Sequence, residues 1–235
     1  MLFQGKALQA AVFGAFLALG GTALAATHQA DFGRHAASAD ARYAAQWALD
    51  AADNEGKPFA IVDKKAAQLF VFTPSGHLIG ASPVLLGLAP GDLSAPGIGQ
   101  LAQRYVPAAL RTTPAGRFAS EPGRNLKGED IVWVDYDAAF AIHRLRNGAD
   151  HARRARQLAS ATPLDNRASL GCVVVPEAFY EGIVKPTLGK SAAVVYVLPE
   201  ARPVQAMFGP PVAALLPPGG ATQRPGKAGS AGVAL

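Results

Sequence analysis

The sequence predicts a mainly β domain with a helix in front of it. Three observations predict this. Short runs of β-branched and aromatic residues recur from Phe59 onward, turn-forming Gly, Pro, Asn and Asp separate them, and the one long stretch with helical spacing, Ala39 to Ala52, precedes them all. In that stretch Tyr43, Trp47 and Ala51 recur every four residues, as on a helix face that packs against the domain, and Asn54-Glu55-Gly56 ends it. Phe59 to Asp63 and Gln68 to Thr73 are β-prone runs joined through Lys64-Lys65. After the turn Thr73-Pro74-Ser75-Gly76, His77 to Leu86 reads as a third strand, giving an antiparallel meander. Residues 87–112 read as loop, since Gly97-x-Gly99 lacks the third glycine and the following helix of a dinucleotide site. Ile131 to Tyr136 and Ala139 to His143 form a hairpin around Asp137-Ala138, with Trp133 expected in the core. A short helix fits the middle of the Arg-rich stretch Arg144 to Arg167, another runs from Pro176 to about Val184, and Ala192 to Leu198 is a final buried strand.

The ends differ from this domain. Between Met1 and Ala26 the only charge is Lys6, the stretch from Ala7 to Leu19 is apolar or small apart from Gln9, and Ala23-Leu24-Ala25 has the small-x-small pattern of a cleavage site. Residues 1–25 therefore read as a secretory signal peptide, with an uncleaved anchor as the alternative. The apolar stretch is shorter than the roughly 20 residues a membrane-spanning helix needs, and no later segment reaches that length without Gly, Pro or charge. Cleavage after Ala25 leaves 210 of the 235 residues and lowers the net charge from +5 to +4. Residues 26–56 are then a helical extension, 57–200 the main domain, and 201–235 a Pro- and Gly-rich tail too poor in apolar surface to order itself. The mild positive charge suits an anionic cell-wall polymer or membrane surface, and no nucleic-acid motif accompanies it. His28 and His35 have no partners at ligand spacing, so neither a metal nor another cofactor is expected.

Cys172 is the only cysteine. In an exported chain a lone thiol cannot form an internal disulfide; it is spare, pairs with another chain, or does chemistry. A cysteine nucleophile needs a nearby base to raise its thiolate fraction, and His143, 29 residues upstream at the end of a predicted strand, can meet a Cys172 that starts an adjacent one. Gly171 allows a tight turn that aims its own N–H and that of Cys172 at an oxyanion, and Ser169 can hydrogen-bond that turn or the substrate. A buried inert cysteine, a core histidine and a turn glycine are the plainer alternatives.

Taken together, His143, Ser169-x-Gly171-Cys172 and the preceding Thr112-Thr113-Pro114-Ala115-Gly116-Arg117-Phe118 resemble the L,D-transpeptidase catalytic domain, also called the YkuD domain. The resemblance runs from about Phe59 to Pro199. It implies an antiparallel β-sandwich with short helices, acting in the periplasm as a monomer on peptidoglycan stem peptides. In that chemistry Cys172 attacks the L,D peptide bond of a tetrapeptide stem, releases the terminal D-alanine and passes the acyl group to an amine or water. His143 is the base and then the acid, and a main-chain carbonyl near Arg144 orients its ring.

Two positions depart from the family: Leu170 stands where it usually has His, Arg or an aromatic, and Val174 where it usually has a bracing Arg or Asn. Arg167 and Asn166 are the replacements to consider. Of Arg144, Arg146, Arg153, Arg154, Arg156 and Arg167, which lie between base and nucleophile, some meet the stem-peptide carboxylates or all belong to a solvated face; Arg144, Arg167 and Asn166 are the expected substrate-binding residues. A catalytically weak wall-binding scaffold is the competing function. A sortase needs an arginine soon after the cysteine, and here the first is Arg202; papain-like peptidases place Cys before His.

Overall fold

The computed structural model describes residues 29–102 and 105–210. The expected signal peptide and the tail beyond residue 210 lie outside them. The helix α1 (Ala39–Asp50) precedes strands β1 (Phe59–Asp63), β2 (Gln68–Phe72), β3 (Leu78–Pro83), β4 (Leu86–Gly87), β5 (Gly116–Arg124), β6 (Asp130–Asp135) and β7 (Phe140–Arg144). Then come α2 (His151–Leu158), β8 (Arg167–Ser169), β9 (Val173–Val175), the short helices α3 (Glu177–Phe179) and α4 (Lys185–Thr187) joined by a π-helical turn at Tyr180–Val184, β10 (Ala193–Val197) and α5 (Gln205–Phe208).

Eight strands form one sheet in the order β3-β2-β1-β10-β5-β6-β7-β9, and β4 pairs with β8 apart from it. The long strand β5 turns this sheet into a sandwich. Its first half, Gly116 to Ser120, pairs with β10, while its second, Glu121 to Arg124, pairs with β6. At the far ends Leu85, just past β3, exchanges backbone hydrogen bonds of 2.8 and 2.9 Å with Val174 of β9, so the sheet nearly closes. Most pairs are antiparallel; β1–β10, β7–β9 and β4–β8 are parallel.

Alternation along the strands builds the layers. Ala60, Val62, Leu69, Val71, Val195 and Val197 from one half meet Val132, Val134, Phe140, Ile142, Val173 and Val175 from the other in a fully enclosed core. Phe59, Ile61, Phe70, Phe72, Val194 and Tyr196 face outward from the first half, where α1 and α5 cover them, so these strands are apolar on both sides. Ser38 caps α1 by accepting from the Ala41 N–H at 3.0 Å. The contact face of α1 is its alanines, Ala41, Ala44, Ala45 and Ala48, rather than a Tyr43-Trp47-Ala51 stripe. Small side chains let the helix approach the sheet closely, and Trp47 packs at the edge against Tyr196 and Phe208.

The expected disordered tail begins too early. Val204 and Phe208 are buried in this outer cluster, and the Tyr43 hydroxyl donates to the Gly209 carbonyl. Two well-placed apolar side chains suffice because the partner surface is already assembled.

Candidate active site

His143 and Cys172 come together through strand register. Parallel pairing sets His143 opposite Val174, and Cys172, two residues before Val174, falls on the same face. Both side chains line the same open cleft. That face is the outer one of the second half-sheet, where Leu145, Val174, Leu85 and Leu158 form a small apolar cluster that seats α2 beside the site.

The turn that leads into Cys172 is held from three sides. Gly171 has φ of +137°, where side chains are strained, and a Cβ there would lie 3.0 Å from the Thr112 carbonyl oxygen. Ser169 Oγ donates to the Cys172 carbonyl at 2.6 Å and accepts from the Gly171 N–H at 3.1 Å. Thr113, fully buried, donates through its hydroxyl to the Gly171 carbonyl at 2.7 Å and accepts from the Gly87 N–H at 2.8 Å. The Thr-Thr-Pro segment thus ties β4 to the turn. Ser169 braces the backbone from the wall of the cleft, and the Gly171 N–H, expected to meet an oxyanion, is already committed to Ser169.

His143 is 8% exposed, and its Nδ1 lies 2.8 Å from the Arg144 carbonyl oxygen. With Nδ1–H donating there, Nε2 is the atom left to exchange a proton. Burial, reinforced by the positive Arg146 and Arg154 and opposed by the Arg144 carbonyl and Glu129, lowers its pKa to about 4. Burial pushes the Cys172 thiol up, against a backbone hydrogen bond from Ala141 and the positive charge of Arg146 and Arg154. The thiol hydrogen points at the Ala139 carbonyl, 3.5 Å from Sγ. Ala139 holds that carbonyl in place from a left-handed conformation, φ +48°, at the end of the β6–β7 turn. The resting pair is therefore neutral imidazole and neutral thiol, not the imidazolium beside thiolate that would activate a cysteine in advance.

Three expected substrate contacts are elsewhere. Arg144, next to His143 on its strand, projects to the opposite face, where it pairs with Asp130 at 2.8 Å and Glu181 at 2.7 Å over the Tyr180 ring. Arg167 binds Glu200 and the Lys64 carbonyl, in a buried network where the Lys64 ammonium reaches Asp92 at 2.9 Å, Glu200 at 3.4 Å and the Thr113 carbonyl at 3.1 Å. Asn166 donates to the Val84 carbonyl at 2.9 Å and is 2% exposed. Neither replaces a bracing residue at 174: Val174 is simply packed in the cluster under α2. Arg156 is exposed on α2.

What faces the cleft instead is Arg146, Arg153 and Arg154 from the anticipated stretch, together with Arg111, Asp150 and Leu170. Arg111, directly before the Thr-Thr-Pro segment, was hidden in a region with no periodicity. Trp133 is not in the core. It stacks on Tyr136 with ring centroids 4.5 Å apart and lines the far side of the cleft.

No family model matches the chain, and no curated protein does. Among solved structures it aligns with the L,D-transpeptidase catalytic domain of E. faecium at 14% identity, covering 61% of this chain and 98% of that one with a TM-score of 0.34. It also aligns with the L,D-transpeptidase of Xylanimonas cellulosilytica (15% identity, 60% of each chain, TM-score 0.37) and with the helical cell shape determining protein Pgp2 of Campylobacter jejuni (13%, 74% and 61%, TM-score 0.39). The chain spans 49% and 60% of the length of the first two matched structures. At this degree of overlap neither membership nor activity follows, and function is read from the side chains themselves.

Proposed function

We propose that the protein is a cysteine acyltransferase of the L,D-transpeptidase type, working in the periplasm on peptidoglycan stem peptides through a thioester on Cys172. The observation that carries this is the pair itself: a thiol and an imidazole from adjacent strands in one open cleft, with Nδ1 anchored on a main-chain carbonyl so that Nε2 serves as base. Because both groups rest neutral, His143 takes the thiol proton as sulfur attacks the scissile carbonyl, not before. The tetrahedral oxyanion forms beside the Cys172 N–H and the positive Arg146 and Arg154. Collapse breaks the C–N bond, and His143 returns the proton to the departing D-alanine amine, leaving the thioester. An acceptor amine, or water, then loses a proton to His143 as it attacks the thioester, and the proton goes back to sulfur.

Incubation of the mature protein with tetrapeptide stems should release D-alanine and give an acyl adduct on Cys172 by mass spectrometry, both lost in Cys172→Ala with the fold retained. Absence of both from the wild type refutes the reading. The Ala139 carbonyl, which stabilises the neutral thiol, favours a second reading, a wall-binding scaffold with little turnover. Co-sedimentation of wild type and Cys172→Ala with purified sacculi, without D-alanine release, is the outcome that would select it.

A further inference from the structure

On the outer face of the second half-sheet a row of residues leads away from the thiol. Ala141 of β7 comes one step before the Ile142–Val173 pair and donates a backbone hydrogen bond to Cys172. Trp133 of β6 pairs with Ala141 on one side and with Glu121 of β5 on the other. An arm of the cleft, of about 460 Å³, follows this row from Cys172 to Trp133 and Tyr136, with Leu101 and Leu126 along it. At its far end two aromatic rings are fixed as a ledge. The indole lies so close to β5 that a Cβ at Gly123 would come within 2.3 Å of Trp133 Cδ1. Tyr136 stacks on the indole with ring centroids 4.5 Å and planes 27° apart, and its hydroxyl donates to Glu121. Tyr136 is nonetheless 58% exposed. Aromatic surface that is held in place and left in water beside a cleft marks a binding face rather than core packing. Shape and polarity narrow the ligand. The electron-rich face of a ring attracts polarised C–H groups, and Glu121, Arg124 and Lys127 border the two rings with hydrogen-bonding groups. A pyranose offers both, a face of C–H groups and a rim of hydroxyls, whereas an apolar side chain or acyl chain would leave the polar border unused.

We propose that Trp133 and Tyr136 form a sugar-binding ledge for the glycan strand from which the stem peptide hangs. The inference deepens the acyl-transfer reading and rests on it for the position of the stem; the sugar site itself does not. A tetrapeptide that has lost its terminal residue keeps three residues on the acyl side, which span about 10 Å when extended. Strand β6 lies two places from β9 in the sheet, also about 10 Å at ordinary strand spacing. A stem that runs along the row with its scissile carbonyl at Cys172 therefore brings its sugar end over Trp133 and Tyr136. Ala141, between them, is small enough to keep the passage open.

Trp133 itself reports on the ledge, since Trp47→Phe leaves it as the only tryptophan. Titration of that variant with tetra-N-acetylchitotetraose should change the Trp133 emission saturably. The affinity should fall about threefold to tenfold when Tyr136→Ala is added, the worth of one lost ring contact. Calorimetric titration of the wild type and of Tyr136→Ala with the same sugar repeats the test without the Trp47 substitution, and circular dichroism checks that each variant is folded. No saturable binding in either measurement, an affinity that Tyr136→Ala leaves unaltered, or a response to anionic phospholipid vesicles in place of the sugar would overturn the ledge. Two substrates then separate the two readings. D-Alanine release should be about threefold to tenfold faster in kcat/KM from a disaccharide-linked tetrapeptide than from the free tetrapeptide, an advantage that Tyr136→Ala removes. Equal rates from both would overturn the ledge and leave acyl transfer standing, whereas sugar binding without release from either would do the reverse.

Discussion

Replacing Thr113 by valine keeps the side-chain volume and deletes one oxygen. That oxygen joins the Gly87 N–H at 2.8 Å to the Gly171 carbonyl at 2.7 Å in a place with no exposure to solvent. Valine offers neither group a partner, and each buried group left unsatisfied costs roughly 1–3 kcal/mol, so Thr113→Val should lose about 2–6 kcal/mol. With a urea slope of about 2 kcal/mol/M, the midpoint should fall by about 1–3 M. Thr113→Ser keeps the hydroxyl and should lose only about 1 kcal/mol, the worth of a methyl group. The assay is equilibrium urea unfolding of the three proteins, followed by the rate of Cys172 acylation in native buffer, which should drop in the valine variant as the turn shifts. A loss below 1 kcal/mol for Thr113→Val with an unchanged acylation rate would refute the claim that this hydroxyl holds the turn before Cys172.

Three further outcomes are expected. The His143 pKa is depressed to about 4 in the fold from an ordinary 6.5, so the unfolded chain binds the extra proton between those values. Stability should hold above pH 6.5 and decline by up to about 3 kcal/mol as pH falls to 4, a slope that urea titrations of His143→Gln should lack. Gly171→Ala places a Cβ 3.0 Å from the Thr112 carbonyl oxygen at φ +137° and should cost about 1–3 kcal/mol by thermal unfolding, with loss of Cys172 acylation. Lys64→Met leaves Asp92 and Glu200 without their buried ammonium and should cost about 3–5 kcal/mol in the same measurement, most of it recovered when Asp92→Asn is added.

Strands with their own signal were legible in the sequence. Phe59 to Asp63, Gln68 to Phe72 and the hairpin ending at His143 are dense in β-branched and aromatic residues, and they form where expected. The strand β5 has no such signal. Gly116-Arg-Phe-Ala-Ser-Glu-Pro-Gly-Arg124 contains no β-branched residue and a proline, and it is a strand because β10 and β6 each claim half of it. Pro122 is tolerated in the half that has β6 as its partner. The site shows the same division. The His143–Cys172 juxtaposition was readable from spacing, while the roles of the arginines were not, since adjacent residues on a strand face opposite ways. Arg144, one residue after His143 on β7, is sent to Asp130 and Glu181, while Arg146, beyond the end of that strand, lies beside the thiol. Lys64 gave no local hint either: a lysine in a strand-end turn is ordinarily solvated, and only the fold brings Asp92 and Glu200 around it.

The packing of α1 and α5 on one outer face and the opening of the cleft on the other have a practical corollary. Residues Ala30 and Gly209 both lie against α1, bound to Gln46 and Tyr43, on the side of the sandwich away from Cys172. A fluorophore or solid support coupled at either of these two positions therefore sits at the rear, and protein immobilised there presents the cleft that holds Cys172 outward.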